Sequence, residues 1–286
     1  MQMLTGKTAV YGVFGDPVAH SLSPLMHNAA FVHCAIDAIY VPFHVTADAL
    51  VAGVAALKAL NIKGINVTIP HKETIIPLLD HVDPAARQIG AVNTVVNSNG
   101  RLLGYNTDSS GFIRSAHQEL GFSPPGKQVL LLGAGGACRA AVQALLSAGV
   151  QKITVANRTV QRAVDLINNV QIDETQQQVA AVSYQSAEFF QAVSHADLLV
   201  NTTAVGLHGE ILNFFPLENI KGSALIFDMV YTKAGTALVQ AARLRGLSSI
   251  DGLSLLAAQG EDAFRIWTGE SLSAGFMRQQ LTEYLG

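Results

Sequence analysis

The sequence predicts an α/β fold in two domains, each built on a mainly parallel sheet, with the last helices returning to the first domain. Three observations carry this expectation. Apolar strand-like runs alternate with helix-spaced runs as β-α-β-α-β over residues 8–69. The alternation starts afresh after a linker-like stretch, GFSPPG at 121–126. The second series opens with a continuous apolar strand that enters a glycine-rich turn and then a helix. The expected domains are 1–107 plus 254–286, and 108–253.

Composition narrows the function classes. The chain has 286 residues, 49% hydrophobic and 14% charged, with a net charge of −3. There is no basic cluster, so nucleic acid is not expected as a partner. No apolar run reaches the ~18 residues that span a bilayer. Residues 1–11 lack the apolar core of a signal peptide. Two cysteines make no disulfide framework, so a reduced, cytoplasmic protein is expected. The histidines at 20, 27 and 33 fit no metal-site spacing, and no metal is expected.

In the first domain, the segment 8–14 reads as a buried strand that breaks at Gly15-Asp16-Pro17. Ser23 followed by Pro24 then predicts a helix start, serine at the N-cap and proline at the first helical position. Ser21 lies beside it, and two hydroxyls at a helix N-terminus could hold a substrate carboxylate. A second strand at 38–45 and a helix at 48–60 lead to a third strand at 63–69. That strand carries NVTIPHK at 66–72. Asn66 and Thr68, two apart, share a strand face. Pro70 has no amide donor and ends the ladder. Lys72 then falls at the strand's carboxyl end, where open α/β sheets bind ligands. Short helices are expected near 74–79 and 84–89, a strand at 90–96, and a hairpin at Asn99-Gly100. Asp108 reads either as the N-cap of a helix over 109–120 or as a carboxylate held near Lys72.

In the second domain, QVLLL at 128–132 enters Gly133-Ala134-Gly135-Gly136-Ala137, and a helix follows over 140–148. Strand, glycine turn and helix together mark a Rossmann-like dinucleotide site. Cys138 stands where the common fingerprint has its third glycine, and reads as a packing residue. The next strand, 152–156, ends in Asn157-Arg158-Thr159, with Arg162 close behind. A site for NAD would place an acid there. A guanidinium instead pairs with a ribose 2′-phosphate, so the expected cofactor is NADP(H). Further strands are expected at 180–184, 197–201, 224–230 and 247–250, and helices over 253–285. Gln259 sits on an otherwise apolar helix face, as a satisfied buried amide or a ligand contact.

These motifs together resemble the shikimate dehydrogenase family: GDPVAHSLSP at 15–24, NVTIPHK at 66–72, AVNT at 91–94, YNTD at 105–108, GAGGACRA at 133–140, NRTVQR at 157–162, DMVY at 228–231 and DGLSLLAAQG at 251–260. The resemblance implies NADPH-dependent reduction of 3-dehydroshikimate to shikimate, with Lys72 and Asp108 as the catalytic pair. It implies that Ser21 and Ser23 hold the substrate carboxylate, with Tyr231 nearby. Asn66, Thr68, Asn93, Asp108 and Gln259 would bind hydroxyls. Residues 133–137 would carry the pyrophosphate, and Asn157, Arg158, Thr159 and Arg162 the 2′-phosphate. Thr203, Met229 and Gly252 would line the nicotinamide side. Lys233, Ser254-Leu255 and Ala204-Val205 depart from the usual pattern. A broader quinate/shikimate dehydrogenase and a non-catalytic shikimate-binding regulator remain as alternatives, and a homodimer as a possible assembly.

Overall fold

The computed structural model describes residues 4–168, 178–207, 209–213 and 215–286. They form two compact units, Met1–Gly111 with Leu256–Gly286, and Phe112–Leu255. The division falls after Gly111, so Asp108 goes with the first unit. Among the described residues no helix is long and apolar enough to cross a membrane.

The first unit begins β1 (Ala9–Gly15), α1 (Ser23–His33), β2 (Ala38–His44), α2 (Leu50–Ala59), β3 (Gly64–Val67). Then come β4 (His81–Val82), α3 (Pro84–Ile89), β5 (Thr94–Ser98) and β6 (Arg101–Tyr105). Strand order is β2-β1-β3-β5-β6-β4. The crossover strands β1, β2 and β3 pair in parallel, as helical crossovers require. β5 runs antiparallel to both β3 and β6. Asn99 and Gly100, with φ of 52° and 86°, make the expected tight turn between β5 and β6.

Several expected boundaries shift for identifiable reasons. β3 stops at Val67, because the chain turns at once with the His71 N–H on the Thr68 carbonyl. The strand expected at 90–96 is β5, starting only at Thr94, since Gly90 is the left-handed cap of α3. The helix expected near 74–79 is a single 3-10 turn, Ile76–Leu78. The two-residue strand β4 carried no sequence signal.

The second unit is a fully parallel sheet. Its first strand follows α4 (Asp108–Leu120), whose Phe112 and Ala116 pack into this unit's core. In order come β7 (Gln128–Leu132), α5 (Gly136–Ser147), β8 (Lys152–Asn157), α6 (Val160–Asn168), β9 (Gln178–Ser183) and α7 (Ala187–His195). Next are β10 (Leu198–Asn201), β11 (Leu225–Asp228), α8 (Ala237–Leu244) and β12 (Ser249–Ile250). Helices α9 (Gly252–Thr268) and α10 (Phe276–Leu285) close the chain. The strand order β12-β11-β10-β7-β8-β9 reverses direction at β7, the switch point where such sheets bind dinucleotides. β7 explains its own composition: Val129 and Leu131 enter one buried cluster, Leu130 and Leu132 the other. Both faces are covered, so the strand has no polar face.

On the buried face of α1, the ring of His27 is fully buried and stacks on Tyr40 at 4.5 Å and 11°. Neither of its ring nitrogens has a hydrogen-bond partner. Burial pushes its pKa down to about 3, with the nearby Asn66 side chain opposing the fall. An unfolded chain takes up that proton near pH 6.5. Unfolding therefore binds a proton between about pH 6.5 and 3, and stability falls as pH falls through that window. Denaturant unfolding at pH 7 and pH 5 checks this: His27 is expected to account for about 2 kcal/mol of the loss on acidification, and His27→Phe for a correspondingly smaller loss. Equal losses in both proteins would show that His27 is not held neutral.

Candidate active site

In the first unit, the residues at the carboxyl end of β3 and at the start of α4 meet. The Thr68 N–H still donates to the Phe14 carbonyl, so the chain stays extended one residue beyond the strand. Ile69-Pro70 is a cis peptide. Lys72 is then fixed by its own carbonyl, which accepts from the Val92 N–H. Its Nζ lies 2.7 Å from Asp108 Oδ2, with side-chain exposures of 32% and 22%. Partial exposure leaves both groups open to a ligand.

Asp108 is not the cap of α4, although a cap was one of its two readings. Asn106 Oδ1 accepts from the Ser109 N–H and fills that role. The Asp108 carboxylate sits in the first helical turn, favoured by the helix dipole and left for Lys72. The expected Ser23 cap is likewise corrected. Leu22 occupies the N-cap position in a helical conformation without a side-chain bond, and Ser23 is the first helical residue. Ser21 Oγ accepts from the Ser23 N–H at 3.3 Å, so the two serines lie together. The first turn of α1 holds no acidic residue, which suits an anion.

Behind these groups is a buried set of amides and hydroxyls. Asn66 Nδ2 donates to the Asn93 carbonyl and to Thr94 Oγ1, each at 3.2 Å. Thr94 Oγ1 donates to Asn93 Oδ1 at 3.1 Å. Asn93 Oδ1 also accepts from the Thr107 N–H at 2.7 Å. Asn93 Nδ2 donates to Thr107 Oγ1 at 3.0 Å and to Gln259 Oε1 at 3.4 Å. Gln259 Nε2 donates to the Leu256 carbonyl. Gln259 reaches this set because Gly111 has no side chain: a Cβ there would meet Gln259 backbone nitrogen at 2.8 Å. Asn66, Asn93 and Gln259 are thus brought together, far apart in sequence. Thr94 and Thr107 were not singled out from the sequence, although both stand inside quoted motifs. Thr68 is half-buried, its methyl against Gly15, outside this set.

In the second unit the glycine turn has the shape a pyrophosphate needs. Gly133 has φ of 106°, and a Cβ there would meet the Thr202 and Thr203 side chains at 2.8 Å. Cβ atoms at Gly135 and Gly136 would meet nothing within 4 Å, so space lies open before the first amides of α5. Ala137 lies in the first turn of that helix. Cys138 is fully buried and its thiol is pushed up to about 12 by burial, which makes it a packing residue.

Asn157 ends β8, with Nδ2 on the Thr159 carbonyl. Arg158 and Arg162 are exposed, and among the described residues neither is in an ion pair. A pocket of about 720 Å³ is lined by Asn157, Arg158, Tyr184 and Thr203, among others. Thr203 Oγ1 donates to Asn201 Oδ1 at 2.7 Å. Asn201 Nδ2 in turn donates to Asp228, whose carboxyl is raised by burial against three hydrogen bonds. The Met229 N–H donates to the Asn201 carbonyl, and the Gly252 N–H to the Val230 carbonyl. Tyr231 also belongs to this unit, unlike the other substrate candidates, and burial raises its phenol. The exposed guanidinium groups, the glycine turn and the absence of an acid at the end of β8 fit a dinucleotide carrying an extra phosphate.

Comparison with known proteins agrees with both units. Residues 13–95 match the family model of the shikimate dehydrogenase substrate binding domain, and residues 114–229 that of shikimate / quinate 5-dehydrogenase. The chain is 46% identical over 278 residues to the shikimate dehydrogenase (NADP(+)) of Geobacter metallireducens, covering 97% of each. The crystal structure of shikimate dehydrogenase from Aquifex aeolicus superposes with a TM-score of 0.88 at 37% identity, over 98% of this chain and 99% of that one. The Thermus thermophilus shikimate 5-dehydrogenase, solved with NADP(H) and shikimate, superposes with a TM-score of 0.83 at 35% identity, over 97% and 100%. The chain belongs to the shikimate dehydrogenase family.

Proposed function

We propose that the chain catalyses the reversible, NADPH-dependent reduction of 3-dehydroshikimate to shikimate, in a cytoplasmic setting. The single observation that carries the reading is the pair of Lys72 Nζ and Asp108 Oδ2 at 2.7 Å, partly exposed at a strand's carboxyl end. Membership of the family supplies the substrate class.

In this reading Ser21 and Ser23 take the substrate carboxylate at the start of α1, assisted by Tyr231. Asn66, Thr68, Asn93, Asp108 and Gln259 take the ring hydroxyls. NADPH, when bound, supplies the hydride to the ring ketone. The ketone oxygen gains charge as the carbonyl bond breaks. In this reading the Lys72 ammonium stabilises that oxygen and gives it a proton, leaving a neutral amine that regains a proton from water. Asp108 orients the ammonium through its hydrogen bond and can accept from a substrate hydroxyl. In the second unit, Gly133, Ala134, Gly135, Gly136 and Ala137 cradle the pyrophosphate. Asn157, Arg158, Thr159 and Arg162 take the 2′-phosphate, the guanidinium groups through charge-assisted hydrogen bonds. Thr203, Met229 and Gly252 line the nicotinamide side.

The direct test is loss of NADPH absorbance with 3-dehydroshikimate; no turnover would end this reading. Quinate, run as a second substrate in the oxidation direction, separates a narrow from a broad enzyme. Lys72→Ala is expected to lower kcat at least about a hundredfold with little change in KM for the substrate. A variant keeping most of its turnover would remove Lys72 from the mechanism. Arg158→Ala is expected to raise KM for NADPH about tenfold, the scale of one hydrogen bond to a charged group, and to leave NADH nearly unaffected. Equal losses with both cofactors would refute the phosphate contact.

A further inference from the structure

We propose that Tyr40 is a positioning residue for substrate recognition, holding the Asn66 carboxamide in one of its two orientations. This rests on reading Asn66 as a substrate contact. The Asn93 carbonyl can only accept, so the Asn66 atom facing it at 3.2 Å is the amide nitrogen. Its second hydrogen goes to Thr94 Oγ1. Both donors are then committed within the protein. Asn66 Oδ1 must face Tyr40, whose hydroxyl donates to it at 2.8 Å. One acceptor site on Oδ1 remains, and it is what Asn66 offers to a substrate hydroxyl.

Tyr40 is held at both ends. Its backbone N–H donates to Asn28 Oδ1 at 2.8 Å, and its carbonyl accepts from Asn28 Nδ2 at 2.9 Å. Its ring is stacked on His27 and lies 6.1 Å from the ring of Trp267. Tyr40 is 1% exposed and Asn66 6%, so no solvent replaces the phenol if it is removed. The amide oxygen then lacks its donor in a buried place, and the carboxamide gains a reason to rotate. A flipped amide would offer the substrate a donor in place of an acceptor. Tyr40 does not touch the reacting atoms in this scheme; it acts through Asn66, and the Ser23 side chain also lies beside its phenol.

The test is a double-mutant cycle on Tyr40→Phe and Asn66→Ala, with KM for shikimate, KM for NADP+ and kcat measured at a temperature where each variant is folded by circular dichroism. The Phe side chain keeps the ring and its stacking. Tyr40→Phe is expected to raise KM for shikimate about five- to tenfold, the scale of one buried hydrogen bond, with kcat and KM for NADP+ within about twofold. In the Asn66→Ala background the same change is expected to move KM less than about twofold, since the group it acts through is gone. If the two effects multiply, or if Tyr40→Phe alters kcat and both KM values alike, Tyr40 is merely structural and the proposal falls. If Asn66→Ala alone leaves KM for shikimate unchanged, the substrate role of Asn66 fails, and Tyr40 loses its part with it.

Discussion

Three backbone groups set the direction of the hydrogen bonds beneath the first unit's candidate site. They are the Thr107 N–H, the Asn93 carbonyl and the Leu256 carbonyl. None can change its role. The first makes Asn93 present its oxygen, the second makes Asn66 present its nitrogen, and the third does the same for Gln259. Every side chain between them must comply. A buried polar network of this kind is costly if any member is left over. Here each amide is paired with a partner of the opposite kind, and the amides are locked before any ligand arrives. The ion pair of Lys72 and Asp108 stands beside this frame, the lysine tied down by a main-chain bond from Val92.

The second unit solves a different problem. Its central strands β7 and β10 are almost wholly buried, so the polar groups that could meet a ligand stand at the strand ends. Asn157, Thr203 and Met229 all lie at or just past the carboxyl ends of β8, β10 and β11. The polar chain from Thr203 through Asn201 to Asp228 braces that edge from below. Close backbone approach at Gly133 and open space at Gly135 and Gly136 complete a rim suited to a phosphate chain.

Much of this was legible from the amino-acid order. The Rossmann-like unit could be read because its first strand is an unbroken apolar run that enters a glycine turn and then a helix. Arg158 and Arg162 could be read because a missing acid is as visible as a present one. What escaped the sequence depended on tertiary context. The two-residue β4 has no pattern of its own. Ser23 looked like a cap, but Leu22 took up helical angles and moved the boundary by one residue. Asp108 could be a cap or a charge partner, and only Asn106 filling the first role settled which. Tyr40 reads as an ordinary strand aromatic; its significance comes from Asn66, which lies in another strand. Thr94 and Thr107 are small polar residues with no periodicity to betray them, and their partners are set by folding alone.

The makeup of that buried frame has one more consequence. Asn66, Asn93, Thr94, Thr107 and Gln259 are carboxamides and alcohols, which neither gain nor lose protons in ordinary buffers. Tyr40, the one ionisable member, is driven well above its usual phenol value by burial. The hydrogen bonds within that frame are therefore indifferent to acidity. Any bell-shaped response of turnover would then have to originate outside that frame.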